Sequence, residues 1–285
     1  MTAPHAPADP YRRMADLYDL WVSTDPARAG SERFYLDLAL SANGPVLELG
    51  TGTGRIALAL AAVGVPVVGV DNAPEMLAVA GSKLAARPAL PLQAAVELVQ
   101  GDVLTYRPAA PVGLAVLPLR TVGHFHTPTR LHALLSSVRE MLQPDGLFAF
   151  DHFVVHADGA GPLAQEEVVY AGPLIGGCSL VLRHSQRAAP QSQELLCELR
   201  AQVRLAGGSV SEERCCSYVL GWVSVQDVRH AAHSAGFEVQ NLFGSFDQQP
   251  FGPGSREQVW VLRRRPSRPD LLSTGHTTPG SRVHS

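Results

Sequence analysis

A glycine-rich octapeptide, E-L-G-T-G-T-G-R at residues 48–55, restricts the possible folds of this 285-residue chain more than any other segment. It joins a short apolar run, 45–50, to a pattern with helical spacing over 54–63. Glycines at alternate positions allow a sharp turn and let the backbone approach a ligand without a clash at Cβ. Free N–H groups at the start of the helix favour a carboxylate or another hydrogen-bond acceptor. The segment therefore predicts a strand, a turn and a helix, with either a ligand at the turn or a turn that binds nothing.

Short apolar runs alternate with longer helical patterns from residue 45 to residue 153, which is typical of parallel strands joined by helices. The predicted fold class is therefore α/β, with a Rossmann-like, doubly wound and mostly parallel sheet. Gly64 would end the first helix, and Thr127 would cap the third. The predicted strands are 45–50, 66–71, 96–100, 113–118 and 147–153, and the predicted helices are 54–63, 74–86 and 128–142.

The segments on either side of this core follow other patterns. Tyr11 to Leu40 has helical spacing, whereas stretches at 178–187, 194–205 and 210–220 have the character of antiparallel strands and predict an inserted β subdomain. A final helix at 225–235 and strands near 237–243 and 257–264 would close the core. The predicted division is a disordered N-terminus (1–9), N-terminal helices and a ligand-binding α/β core (10–153), the β subdomain (154–222), the closing helix and strands (223–264) and a disordered tail (265–285).

Composition excludes several kinds of partner. The chain is 46% hydrophobic and 17% charged, which fits a globular domain. Its formal net charge of −3 provides no positive field, so we expect neither a nucleic-acid nor a membrane partner. The most apolar stretch, 56–70, contains Gly64 and Pro66 and is shorter than the roughly 20 residues that a membrane span needs. Four cysteines without C-x-x-C spacing, and an N-terminus without a signal pattern, favour a cytoplasmic protein.

Two carboxylates follow further strands of the predicted sheet. Asp71 ends the run V-P-V-V-G-V-D, and Asp102 follows the next strand in Q-G-D-V. A carboxylate at a strand end can accept hydrogen bonds from the two hydroxyls of a ribose, although it is also a common helix cap. Asp102 could meet an adenine amine while Val103 packs on the ring. Because the carboxyl ends of parallel strands form the crevice where open α/β sheets bind ligands, one nucleoside ligand would explain both carboxylates and the glycine turn.

Four segments follow one another within residues 45–153, namely E-L-G-T-G-T-G-R, G-V-D-N-A-P-E-M-L, Q-G-D-V and L-Q-P-D-G-L-F-A-F-D. In their order and spacing they resemble the motifs of class I S-adenosylmethionine-dependent methyltransferases. The early Y-D-L-W and the later A-G-F-E-V, G-S-F-D-Q-Q-P-F and V-W-V-L-R-R resemble bacterial small-molecule members. The resemblance implies that the cofactor is S-adenosylmethionine and the product S-adenosylhomocysteine. It further implies direct in-line transfer of a methyl group to a nitrogen or oxygen of a small-molecule acceptor. Asn72 and Ala73 depart from the usual pattern, in which an apolar residue and a hydroxyl cap are common.

The resemblance also assigns roles to individual residues. Gly50, Gly52 and the neighbouring backbone would hold the methionine part, and Tyr18 or Trp21 would close over the cofactor. Asp71 would hold the ribose. The full set of predicted cofactor-binding residues is Tyr18, Trp21, Glu48, Gly50, Thr51, Gly52, Arg55, Asp71, Asn72, Met76, Asp102, Val103 and Leu117.

The loop that follows the fourth strand, residues 118–126, should lie beside the transferred methyl group. His124 is the predicted catalytic residue, which would contact or deprotonate the acceptor, with a packing or capping role as the alternative. Arg120 could bind an acceptor carboxylate, or form an exposed salt bridge in the loop instead. His152 and His156 lie four residues apart on a predicted strand, where this spacing does not suit a metal, and no metal site is predicted. No oligomeric state is predicted.

Other functions on a similar fold are alternatives. A nicotinamide-dependent oxidoreductase would carry G-x-G-x-x-G, but Arg55 stands at the place of its third glycine. A protein that binds S-adenosylmethionine or a nucleoside without catalysis would share the motifs, and turnover of amines or phenols would distinguish it. An aminopropyl transferase would be expected to carry an acidic run in the loop 118–126, where this sequence has none.

Overall fold

The computed structural model describes residues 10–24, 30–42, 44–87, 96–155, 165–174, 176–189 and 191–266. The predicted disordered N-terminus, nearly all of the predicted disordered tail and His156 lie outside the described residues. Within the described ranges, the chain forms two sheets with helices packed around the larger one.

The larger sheet has seven strands in the order β10-β11-β5-β4-β1-β2-β3. Strands β1 to β5 pair in parallel with one another, whereas β11 pairs antiparallel with both β5 and β10. The predicted Rossmann-like, mostly parallel sheet is confirmed, and the strand order reverses beside β1, where such sheets bind ligands. The strands are β1 (Val46–Leu49), β2 (Val67–Asp71), β3 (Val96–Gln100), β4 (Val112–Leu117), β5 (Leu142–Phe153), β10 (Phe237–Phe243) and β11 (Glu257–Arg264).

The helices begin at the signals that the sequence carries, with one correction. Thr127 caps α5 by accepting a hydrogen bond from the Arg130 N–H, and Ser224 with Asp227 forms a capping box at α6. The helical stretch predicted from Tyr11 to Leu40 is divided, because α2 starts afresh after Gly30, whose φ is 82°. The helices are α1 (Ala15–Ser23), α2 (Ser31–Ser41), α3 (Arg55–Ala62), α4 (Pro74–Ala85), α5 (Pro128–Met141) and α6 (Val225–Ser234), with short 3-10 helices at Pro10–Met14 and Thr121–Phe125.

Strand β5 begins five residues earlier than the predicted start at residue 147. Leu142 already pairs with Val112 of β4, and pairing resumes with Leu147 opposite Leu114 after an irregularity. The intervening P-D-G sequence, with Asp145 at φ 61°, forms this irregularity. Proline and glycine therefore mark a bulge inside the strand here and not its beginning.

The smaller sheet is antiparallel, in the order β6-β7-β8-β9, and confirms the inserted β subdomain. One face of it packs against the N-terminal segment, where Met14 and Trp21 join a cluster with Leu182 and Leu199. None of the helices in the described parts of the chain is long and apolar enough to cross a membrane. The strands are β6 (Gln165–Pro173), β7 (Ser179–Ala189), β8 (Glu194–Arg204) and β9 (Val210–Gly221).

Candidate active site

The glycine turn after β1 has the conformation that its sequence predicts. Gly50 and Gly52 have φ angles of 68° and 55°, which residues with a Cβ rarely adopt. The Thr51 hydroxyl donates to Glu48 Oε2 at 2.7 Å, and a Cβ at Gly69 of β2 would lie 2.7 Å from that hydroxyl oxygen. Burial raises the pKa of Glu48 to about 7, and only 2% of this residue is exposed. Glu48 therefore supports the turn from inside the core.

Asp71 joins the glycine turn to the end of β2. Its Oδ2 accepts the Gly52 N–H at 2.7 Å, and its Oδ1 accepts the Ala73 N–H at 2.9 Å. Asp71 is 8% exposed, so the carboxylate lies in the floor of the crevice and not on the open surface. Asp71 thus acts as a backbone cap at the end of β2, and its ribose-binding role stays a prediction.

The end of β3 continues the same edge of the sheet. The Gly101 N–H donates to the Asp71 carbonyl at 2.9 Å, which brings the two strand ends together. Asp102 is exposed, and its Oδ1 accepts the Leu104 N–H at 2.8 Å. Val103 is partly buried against the core, while Asn72 is exposed. The glycine turn, Asp71 and Asp102 therefore lie at adjacent strand ends, as one shared ligand would require.

The N-terminal segment is attached to this edge by polar contacts. Asp19 accepts the Thr53 hydroxyl at 2.5 Å and the Lys83 ammonium at 2.6 Å. Tyr18 packs against a small cluster that includes Met76, which is another predicted cofactor-binding residue. Helix α1 therefore lies over the ends of β1 and β2, in the position of a cover for the crevice.

The loop 118–126 packs directly on the glycine turn, because a Cβ at Gly50 would lie 3.1 Å from Thr121 Cγ2. His124 Nε2 lies 3.4 Å from the Tyr11 hydroxyl, and the two rings are 6.0 Å apart in an edge-to-face arrangement. Burial, followed by the Arg130 charge, lowers the pKa of His124 to about 4. Burial also raises the pKa of Tyr11 well above its usual value. Both groups are therefore neutral at neutral pH.

Tyr11 is a candidate site residue that sequence reasoning missed. It contacts Tyr18 edge to face at 5.8 Å, and it stacks on Trp21 at 6.5 Å. The available signal was the seven-residue spacing of Tyr11 and Tyr18, which puts two tyrosines on one face of a helical stretch. Trp21 itself turns toward the smaller sheet and lies 6.0 Å from Tyr218.

Three predicted site residues have surroundings that limit their roles. The Arg120 guanidinium forms an ion pair with Glu257 at 2.5 Å, and this pair is partly buried, in contrast to the exposed salt bridge expected as the alternative. Leu117 is fully buried at the end of β4. The Arg55 side chain lines a groove between α1, α2, α3 and α4. Their binding roles stay predictions.

His152 is fully buried at the end of β5, and burial lowers its pKa to about 3. Among the described residues, no group of three His, Cys, Asp or Glu side chains is arranged to hold a metal ion.

Comparisons with known proteins agree with this fold. A family model described as a methyltransferase domain matches residues 46–146, from β1 into β5. The cypemycin N-terminal methyltransferase of Streptomyces sp is 28% identical over 221 residues, which cover 77% of this chain and 83% of that protein. YqeM of Bacillus subtilis (strain 168) is 28% identical over 142 residues, and this match spans only about half of each protein, 50% and 54%.

Among solved structures, the CcbJ methyltransferase from Streptomyces caelestis superposes with a TM-score of 0.74 and 26% identity. The superposition covers 92% of this chain and all of that one, 100%, so the likeness includes the N-terminal helices and the smaller sheet as well as the core. The fold therefore agrees with the comparisons.

Proposed function

We propose that this chain, which is a class I S-adenosylmethionine-dependent methyltransferase, transfers the methyl group to an amine nitrogen of a small molecule. When bound, S-adenosylmethionine supplies a methyl group on a positively charged sulfur that needs no further activation. The protein then has to hold the acceptor in line and exclude water.

The residues at the carboxyl edge of the sheet fit this cofactor. Gly50 and Gly52, with φ angles of 68° and 55°, turn the backbone so that its N–H groups would face the methionine part of the cofactor. Asp71 lies at the end of β2, where its carboxylate would face the ribose hydroxyls, and Asp102 follows β3, where it would meet the adenine. Tyr18, on the helix that covers this edge, would limit access of water.

The place of His124 carries the choice of an amine, because its ring is partly buried against the Tyr11 hydroxyl and its pKa is lowered there. A hydroxyl acceptor needs a general base, and such a base works best with a pKa near the reaction pH. A histidine whose pKa is about 4 is a weak base, but its neutral ring can orient a neighbouring polar group. A neutral amine already has a lone pair and needs only to be oriented. His124 and the Tyr11 hydroxyl, 3.4 Å apart, would provide that orientation.

The surroundings of this pair favour the neutral form of an amine acceptor. Tyr11 and His124 are both partly buried, and a charged ammonium is disfavoured where contact with water is reduced. The rings of Tyr11, Tyr18 and Trp21 lie 5.6 to 6.5 Å from one another, and aromatic faces stabilise a positive charge that develops beside them. The name of the cypemycin relative, which describes an N-terminal methyltransferase, is consistent with a nitrogen acceptor.

The test uses the full chain with S-adenosylmethionine and matched pairs of candidate acceptors. Each pair would differ only at the reacting group, for example an amino sugar with its hydroxyl counterpart, or a peptide with a free or acetylated N-terminus. Mass spectrometry should detect methylation of the amine member alone. Methylation of the hydroxyl member would contradict the choice of nitrogen, and no transfer to any acceptor would count against this acceptor class.

Two further readouts test the role of His124. His124→Ala should lower kcat/KM for the acceptor about tenfold or more, a loss of about 1.4 kcal/mol of transition-state stabilisation. His132→Ala, an exposed histidine on α5, is the matched control and should have no effect. The wild-type kcat/KM should rise with pH up to the pKa of the acceptor amine, because His124 stays neutral throughout that range. An inflection that tracks a histidine near its usual pKa and disappears in His124→Ala would refute this role.

A further inference from the structure

Two consecutive residues at the start of the loop 118–126 have a left-handed backbone. Leu119 has φ 61° and Arg120 has φ 58°, and neither is glycine. This conformation costs about 1–2 kcal/mol for a residue with a Cβ, so adjacent examples need strong compensating contacts. The compensation must come from groups that hold these two peptide units in place.

Asp151 provides those contacts. Its Oδ1 accepts the Leu119 N–H at 2.9 Å, and its Oδ2 accepts the Arg120 N–H at 3.0 Å. The Tyr35 hydroxyl, from α2, donates to Oδ1 at 2.6 Å. Asp151 is 3% exposed and Tyr35 is fully buried, so water competes little for these bonds. One buried carboxylate thus binds two successive N–H groups as an anion would in a backbone concavity.

The left-handed pair determines where the rest of the loop goes. Arg120 is the residue from which the 3-10 helix Thr121–Phe125 starts, and that helix carries His124. Thr121, directly after the pair, packs against Gly50 of the glycine turn. Glu257 holds the Arg120 side chain from another strand. The backbone and the side chain at this corner are therefore fixed separately, by Asp151 and by Glu257.

We propose that Asp151, held by Tyr35, is a positioning residue that sets the loop 118–126 for the acceptor. The proposal rests on the proposed function in one respect only, namely that His124 in this loop faces the acceptor. Asp151 makes no described hydrogen bond to the glycine turn or to Asp71, and its loop meets that turn through the packing of Thr121 on Gly50, so its effect should fall more on the acceptor than on the cofactor.

The test compares Asp151→Asn with Asp145→Asn in the full chain. Asp145 is exposed at the bulge of the same strand, and asparagine tolerates its left-handed backbone, so this variant is a matched control. Asp151→Asn replaces one acceptor oxygen by an NH₂ group facing an N–H donor. We expect kcat/KM for the acceptor to fall about tenfold, equivalent to about 1.4 kcal/mol, with S-adenosylhomocysteine affinity changed less than about twofold. Hydrogen exchange at the amides of 119 and 120 should become faster.

Rescue separates positioning from general support of the fold. Leu119→Gly removes the steric cost that a Cβ adds to the left-handed backbone. In the Asp151→Asn background, this change should slow hydrogen exchange in the loop again and raise kcat/KM for the acceptor about threefold. Tyr35→Phe keeps the buried ring and loses only the hydroxyl, and it should show the same pattern as Asp151→Asn with a smaller change.

Three outcomes would overturn the proposal. These are an unchanged kcat/KM in Asp151→Asn, a loss of S-adenosylhomocysteine affinity in proportion to the loss of kcat/KM, or no restoration by Leu119→Gly. If the wild type methylates no amine at all, the proposed function fails, whereas hydrogen exchange and its rescue still decide whether Asp151 sets the loop.

Discussion

Replacing Asp71 by alanine should weaken the binding of S-adenosylhomocysteine about 100-fold. The carboxylate is 8% exposed and lies between the glycine turn and the start of α4, where a ribose would approach it. A hydrogen bond to a charged group contributes about 1.5–3 kcal/mol. Two ribose hydroxyls that donate to this carboxylate in place of water should therefore together contribute about 3 kcal/mol to the binding free energy. That free energy corresponds to a factor of about 100–200 in Kd.

The assay is titration calorimetry of the wild type and Asp71→Ala, well below the unfolding temperature of both. The variant also leaves the Gly52 and Ala73 N–H groups without their carboxylate acceptor, so it should lose about 1–2 kcal/mol of stability, measured separately by denaturant unfolding. Asp247→Ala, at an exposed aspartate, is the control and should bind like the wild type. Equal affinities of the wild type and Asp71→Ala would refute the reasoning, since the carboxylate would then not face the ribose.

Two further predictions concern stability and the packing of the loop 118–126. The pKa of Glu48 is raised from 4.5 to about 7 on folding, so the folded state binds more protons between these values and should lose about 3 kcal/mol of stability as pH rises through them. In Glu48→Gln, the free energy of unfolding, measured by denaturant titration at pH 5 and pH 8, should lack this loss. An identical pH dependence in both proteins would contradict the prediction. A Cβ at Gly221 would overlap the ring of His126, so Gly221→Ala should displace the loop and lower acceptor kcat/KM at least about tenfold with S-adenosylhomocysteine affinity retained. Full activity of Gly221→Ala would show that the loop tolerates the shift. Gly81→Ala on α4 is the control, because its added Cβ meets no atom within 4 Å, and it should raise stability by about 1 kcal/mol.

The parts of the site that sequence could predict depend on local patterns. The glycine turn and Asp71 each stand where a short apolar run ends, and the parallel sheet then brings those ends together without further information. The caps at Thr127 and Ser224 are predictable for the same reason, because capping depends on residues three positions apart.

The parts that sequence could not predict depend on contacts between distant residues. Tyr11 reaches His124 across 113 positions, and Tyr35 reaches Asp151 across 116. The left-handed backbone at Leu119 carries no local signal, since leucine does not favour it and the carboxylate that accepts its N–H comes from Asp151, on another strand. The pairing of Arg120 with Glu257 is equally non-local, which explains why its salt bridge and a ligand role were equally compatible with the sequence.

The most direct test of the central claim is a crystal structure of the chain grown with S-adenosylhomocysteine. The account predicts one molecule at the carboxyl ends of β1, β2 and β3, with the ribose hydroxyls bonded to Asp71, the adenine beside Asp102 and the amino acid part against Gly50 and Gly52. A molecule bound elsewhere, such as in the groove lined by Arg55 between α1 and α4, or contacts to only one of these strand ends, would contradict it.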